Sequence, residues 1–262
     1  MRRHSPDTDV SLWTRREESL DAIKSALPGC RVTTSLPDAV RDAEIIVICT
    51  SPEAISASGP LLAKSLRSDA SVTDAGSIKA DIVESLEAQL GGRFIGAHPM
   101  AGSEQSGIQA ARADLFDGAA CIITPTPRSE PQALEAIRMF WKRTGCLLQE
   151  ISPQEHDRLI AQISHLPHAL AAALVNSSAS LGDLVSQLAG NGYRDTTRIA
   201  AGPADLWTEI LLGNRANVVS AINEVSRSLD ALRAALEKND RPAVEEFLTL
   251  ASARRATQRK TP

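Results

Sequence analysis

Continuous apolar runs alternate with helically spaced apolar positions up to about residue 152, and beyond it only the helical spacing remains. Glu44-Ile-Ile-Val-Ile-Cys-Thr50, closed by Ser51-Pro52, is apolar throughout its centre, as a strand buried on both faces of a parallel sheet must be. Further strands are predicted over 10–13, 70–74, 93–97, 119–124 and 146–151. Helices are predicted over 17–25, through Ile55, Leu62 and Leu66, and over 77–90 and 130–144. Strands alternating with helices of this length build βαβ units, so the pattern predicts a doubly wound α/β sheet.

From residue 153 the spacing predicts helices over 153–163, 167–181, 183–189, 203–212, 215–237 and 242–255. The expected division is therefore an α/β domain over 1–152 and an all-α domain over 153–262. In the helix over 215–237, Val218, Ile222, Val225, Leu229, Leu232 and Leu236 recur at alternating spacings of four and three. They form one apolar seam suited to another long helix, either within the molecule or on a second copy. Asp240 is placed to cap the next helix, with Pro242 in its first turn. The basic tail over 254–262 is expected to fray.

Composition removes several classes of function. Aromatic residues make up 3% of the chain, too few for a base-stacking platform, and the formal net charge is −4, so nucleic acid is not an expected partner. No apolar run approaches the ~20 residues of a bilayer span, and the N-terminus has no apolar signal core; no membrane partner is expected. Cys30, Cys49, Cys121 and Cys146 are scattered beside predicted strands without a C-x-x-C pair. They read as buried free thiols of a cytoplasmic protein with no disulfide and no metal.

Candidate chemistry gathers in four segments. Arg93-Phe-Ile-Gly-Ala-His-Pro-Met-Ala-Gly-Ser-Glu104 runs a strand into His98 and then turns into a polar loop. A histidine there faces the crevice where open α/β sheets bind ligands, with an ordinary pKa near ~6.5 that suits proton transfer. In Val72-Thr-Asp-Ala-Gly-Ser-Ile-Lys79 a strand ends and a helix begins, so Ser77 either caps that helix or points into the crevice. Ser164-His-Leu-Pro-His-Ala169 holds His165 and His168 around a proline, either as site residues or satisfied by backbone groups at a helix start. Gly192-Tyr-Arg-Asp-Thr-Thr-Arg-Ile-Ala-Ala201 brings Arg194, Asp195 and Arg198 together. These arginines either grip a carboxylate through paired hydrogen bonds or form an ion pair with Asp195.

Asp74-Ala-Gly-Ser-Ile-Lys79, Gly96-Ala-His-Pro-Met-Ala-Gly-Ser-Glu104-Gln-Ser-Gly107, His165-Leu-Pro-His168 and Tyr193-Arg-Asp-Thr-Thr-Arg-Ile-Ala200, in this order, resemble the prephenate/arogenate dehydrogenase family of tyrosine biosynthesis. The resemblance implies a Rossmann-like sheet followed by an all-α dimerisation domain. It also implies NAD(P)-dependent oxidative decarboxylation of a cyclohexadiene bearing a ring alcohol and a carboxylate. On that resemblance His98 takes the proton of the 4-hydroxyl and Ser77 bonds the same hydroxyl and positions His98. Arg198 binds a substrate carboxylate, Glu104 and His168 line the pocket, and Asp195, Arg194 and Trp207 support it. The helical seam is then expected to pair in a homodimer.

One element of that family is not found: the glycine-rich G-x-G-x-x-G loop that opens a dinucleotide domain. The strand over 10–13 matches the family's second strand, so the first βα unit is missing, two strand edges are expected to lack a neighbour, and a start upstream of Met1 is expected. The chain as it stands is expected to bind dinucleotide poorly. After the strand over 10–13 the chain reads Thr14-Arg15-Arg16, where NAD-preferring enzymes carry an acidic residue; this favours NADP over NAD. Cys49, Thr50, Ser51, Pro52 and Asp74 are expected to border the cofactor. Two alternatives are a non-catalytic carboxylate-binding relative and a β-hydroxyacid dehydrogenase. The second would need a lysine early in the helical arm, and none lies between Ser152 and Leu212.

Overall fold

The computed structural model describes residues 7–102 and 107–258. Every strand the pattern predicts is present, with one more. β1 (Ser11–Trp13) pairs in parallel with β2 (Arg31–Thr33), a three-residue strand too short to show a period. A second sheet runs β3 (Ile45–Ile48), β4 (Ser71–Asp74), β5 (Phe94–Pro99), β6 (Ala120–Thr124), β7 (Leu147–Glu150), in that order. Among the described residues β1 and β3 each pair on one side only, so the single expected sheet is two ladders.

The larger sheet is mixed, a doubly wound α/β arrangement with one antiparallel junction. β3, β4 and β5 are parallel, but β6 runs antiparallel to β5 and carries the parallel β7 with it. Between β5 and β6 the described chain holds only a 3-10 turn, Ile108–Ala110, and no crossover helix to bring the next strand back in parallel.

β5 is buried along its whole length and sends alternate side chains to two cores. Phe94 joins Ile46, Val72, Ile82 and Leu86 beneath α5 (Ala80–Leu90), after α1 (Leu20–Ala26), α2 (Leu36–Val40), α3 (Pro52–Ala57) and α4 (Gly59–Ala63) have led the chain across. Ile95 and Ala97 join Ile123, Ile137 and Trp141 beneath α6 (Pro131–Arg143). By the same alternation His98 shares its face with Phe94 and Gly96. A Cβ on Gly96 would lie 2.5 Å from Thr124 Oγ1 and 2.7 Å from Val83 Cγ2, so only glycine lets α5 lie this close to the strand that carries His98.

After β7 the expected break at Pro167 does not occur. α7 (Pro153–Ile160), capped by Ser152 Oγ on the Glu155 N–H, continues through a wide π turn, Ala161–His165, directly into α8 (Leu166–Ser178). Proline has no N–H and its ring crowds the carbonyl four residues back; a π turn in front of it relieves both. By length and composition the helix over Pro153–Leu181 could cross a bilayer, against the expectation from the sequence. It carries buried His156, Asp157, His165 and His168, and His156, Asp157 and His165 make hydrogen bonds within the protein.

α9 (Leu184–Leu188), α10 (Asn191–Thr197), a 3-10 turn over Arg198–Ala201 and α11 (Ala204–Gly213) follow. By packing, the chain divides between Arg215 and Ala216, whereas the change from α/β to all-α falls near residue 152. The second unit holds α12 (Arg215–Glu237) and α13 (Arg241–Gln258). Asp240 Oδ1 accepts the Ala243 N–H at 3.2 Å, the expected cap, and α13 continues through Gln258, so residues 254–258 are helical where fraying was expected. Along the seam Val218 is buried, Val225 and Leu232 are half-buried, and Ile222, Leu229 and Leu236 are exposed. Of the thiols, Cys121 and Cys146 are buried as expected, while Cys30 is half-buried and Cys49 exposed.

Candidate active site

The carboxyl end of β5 delivers His98 into a row of polar groups that α7 supplies. His98 Nδ1 lies 2.9 Å from His156 Nε2, and His156 Nδ1 lies 2.8 Å from Asp157 Oδ1. The Asp157 carboxylate also accepts the backbone N–H groups of Lys79 (2.7 Å) and Ala80 (2.9 Å), capping α5 from another helix. Asn214, at the end of α11, donates to the Asp157 carbonyl at 2.7 Å and to His165 Nδ1 at 3.2 Å. Beneath the row, Lys79 and Asp74 form an ion pair with no exposed surface. Asp74 further accepts the N–H groups of Gly76 (2.9 Å) and Ala97 (3.0 Å), which fastens the end of β4 to β5.

Burial keeps this group of imidazoles neutral. His98 is held well below the ordinary histidine range, first by burial and then by His156, Lys79 and His165. His156 is lowered by burial, which outweighs the opposing pull of Asp157. His165 is pushed down to about 4, again mainly by burial. The sign for stability follows. Between pH 6.5 and about 4 the unfolded chain takes up protons that folded His165 refuses, so stability falls as pH drops through that window. Denaturant midpoints should therefore decline between pH 7 and 5, starting above the carboxylate range; a flat midpoint over that interval would refute the assignment.

His168, on α8, stacks on Trp207 of α11 with ring centroids 3.5 Å apart and planes 13° apart. His165 meets the same indole edge-on at 6.2 Å. The two histidines around Pro167 thus both meet the Trp207 indole. Arg198 opens the 3-10 turn that packs on α8 and is exposed. Arg194 donates from Nε to the Ala189 carbonyl at 3.1 Å and lines another crevice with Val175, Ser178 and Tyr193; Asp195 is exposed beside it. Ser77 is half-buried in the turn after β4, with its backbone beside the His165 ring. It is not the helix cap, because α5 begins only at Ala80 and Asp157 caps it. Glu104 lies outside the described residues.

The expected cofactor residues fall at strand ends. Thr14 follows β1, and its hydroxyl accepts the Arg16 N–H at 3.2 Å, leaving the exposed guanidinium groups of Arg15 and Arg16 as the charged chemistry there. Cys49 and Thr50 are exposed at the end of β3, and Ser51 and Pro52 open α3. Cationic and hydroxyl donors at the carboxyl ends of parallel strands fit a phosphate-bearing dinucleotide. Asp74 does not belong with them, since its oxygens are engaged inside the fold.

Sequence reasoning missed His156, Asp157 and Asn214. A signal existed for the first two: Pro153, His156, Asp157 and Ile160 fall on the buried stripe of α7, and a histidine–aspartate pair inside such a stripe needs a reason to be there.

A strand-end histidine backed by buried polar groups, on a mixed α/β sheet followed by helices, defines an α/β protein with its candidate site at the carboxyl edge of the sheet. The pattern described as the prephenate dehydrogenase nucleotide-binding domain matches residues 1–150, and that of the prephenate dehydrogenase dimerization domain matches 152–250. The chain belongs to the prephenate dehydrogenase family. It is 35% identical over 230 residues to prephenate dehydrogenase of Bacillus subtilis, covering 86% of this chain and 62% of that one. It is 31% identical over 243 residues to cyclohexadienyl dehydrogenase of Zymomonas mobilis, covering 90% and 83%. The crystal structure of Aquifex aeolicus prephenate dehydrogenase with hydroxyphenyl propionate and NAD+ superimposes with a TM-score of 0.91 at 30% identity, over 98% of this chain and 91% of that one.

Proposed function

We propose that this protein oxidatively decarboxylates prephenate or arogenate with NADP, or NAD, as oxidant, yielding 4-hydroxyphenylpyruvate or tyrosine. The observation that carries the reading is His98: a buried, neutral imidazole at the end of β5, in the same sheet as β3, whose end is suited to a dinucleotide. The chemistry that NAD(P) supplies when bound is a two-electron acceptor for the carbinol carbon. His98 takes the proton of the 4-hydroxyl as that carbon is oxidised, with Ser77 bonding the same oxygen. Arg198 grips a substrate carboxylate, the stacked His168–Trp207 pair shapes the pocket, and the family resemblance assigns Glu104, Asp195 and Arg194 to the same task. Loss of carbon dioxide leaves its bonding electrons in the ring, which becomes aromatic. Arg15 and Arg16 beside neutral Thr14 favour the 2′-phosphate of NADP.

Residues 1–152 would hold the dinucleotide and 153–262 the substrate and the partner, with the half-open seam of α12 pairing two copies in a homodimer. Free thiols suit a cytoplasmic setting. The test is reduced-nucleotide formation by the purified protein with each substrate and each dinucleotide, the dinucleotide raised until the rate no longer climbs so that a weak site is filled. Turnover of one of the two substrates, faster with NADP, is expected; none with any combination would overturn the reading. Sedimentation over graded concentrations checks the dimer, which a monomer at every concentration would exclude.

A further inference from the structure

The proton positions along the row His98, His156, Asp157 follow from its far end. Both Asp157 oxygens receive backbone N–H groups, from Lys79 and Ala80, and a carboxylate so placed only accepts. His156 must then carry its hydrogen on Nδ1, toward Oδ1, which leaves its Nε2 with a bare lone pair. That lone pair can only accept, so His98 must carry its own hydrogen on Nδ1. The one ring nitrogen left with a free lone pair is His98 Nε2.

We propose that His156 and Asp157 are positioning residues that lock His98 in its Nδ1–H form and so make Nε2 the atom that takes the substrate's hydroxyl proton. The proposal rests on the reading above for the identity of the substrate, and on the geometry alone for the proton positions. It moves the orienting task, which the family resemblance gave to Ser77, to the opposite nitrogen of the ring. Asn214 steadies the row from behind: because a carbonyl only accepts, the Asn214 nitrogen must face the Asp157 carbonyl, and the same nitrogen reaches His165.

The arrangement also answers a cost. One proton moves from the substrate oxygen to His98 Nε2, which makes a buried ring cationic, and an isolated buried charge is expensive. The Nδ1–H of that ring points at His156, whose other nitrogen is bonded to Asp157. The new charge is thus tied through one imidazole to a carboxylate, while the Lys79 charge is already matched by Asp74.

Two-bond proton–nitrogen NMR spectra of the histidine rings in the full chain test this, together with two variants. In the wild type His98 and His156 should both show protonated Nδ1 and bare Nε2. His156→Leu removes the acceptor, so His98 should turn to the Nε2–H form and kcat should fall about 10²-fold or more at nearly constant KM. His156→Gln can donate its amide N–H to Asp157 and offer its oxygen to His98. It should restore the Nδ1–H signature and hold kcat within about tenfold of wild type. A role in packing alone would not separate leucine from glutamine in this way. His98 found as Nε2–H in the wild type would overturn the proposal, as would a folded His156→Leu enzyme with unchanged turnover. If a variant does not fold, the wild-type spectrum still decides. If the wild type turns over neither substrate, the functional reading fails while the spectrum is unaffected.

Discussion

Replacing His98 with asparagine should lower turnover about 10²- to 10⁴-fold, the usual cost of losing a general base, while KM changes little. Asparagine keeps a polar side chain at the end of β5 but cannot take a proton. Binding is assigned to Arg198 and to the His168–Trp207 stack, which the substitution leaves alone. The pH profile supplies a second reading. Burial and the neighbouring cation hold His98 well below 6.5, so the wild-type enzyme should lose activity only as the pH falls below the ordinary histidine range. The residual activity of the variant should lack that limb. Steady-state kinetics from pH 4.5 to 8 measure both, and wild-type rates in the variant would remove His98 from the mechanism.

The second large effect is on stability. Lys79→Met should cost about 3–5 kcal/mol, since it strands a buried carboxylate that loses its cation. Asp74 has no exposed surface, and its remaining partners are two backbone N–H groups, from Gly76 and Ala97, which do not balance a full charge. A loss of that size is a large share of the ~5–15 kcal/mol that usually holds a domain together. Adding Asp74→Asn removes the stranded charge, so the double variant should recover much of what the single one lost. Denaturant unfolding of the four proteins closes the cycle; additive losses would show that the pair is not coupled. Removing the Lys79 charge should also move the acid limb of activity upward, because that charge helps to keep His98 neutral.

Long apolar runs made the sheet readable: Ile45–Ile48 can hardly be anything but a buried strand, and the six-residue β5 ends in the motif that carries His98. Other features lay below what a single sequence reveals. β2 has three residues, fewer than any period needs. The direction of β6 goes with a link that holds no crossover helix among its described residues, which is a matter of topology and not of the strand itself. The site divides similarly. His98, Ser77, His168 and Arg198 sit in motifs of unusual composition, whereas His156 and Asp157 stand in the helix predicted over 153–163, outside any such motif. Only their phase on α7, in step with Pro153 and Ile160, marks them as interior. Lys79 stood inside a quoted motif, but nothing in its spacing said that its charge would be buried against Asp74.

The π turn at Ala161–His165 works as a phase adjuster between two stretches of one rod. An α-helix advances about 100° per residue, so a single extra residue accommodated in one widened turn rotates everything downstream by about that angle. Upstream the rod aims His156 at the sheet, and downstream it aims His168 at the indole of Trp207. Shortening residues 161–165 by one would remove the wide turn that accommodates Pro167 and set its ring against the carbonyl four residues back. It would also swing His168 about a quarter-turn away from that indole and break the stack.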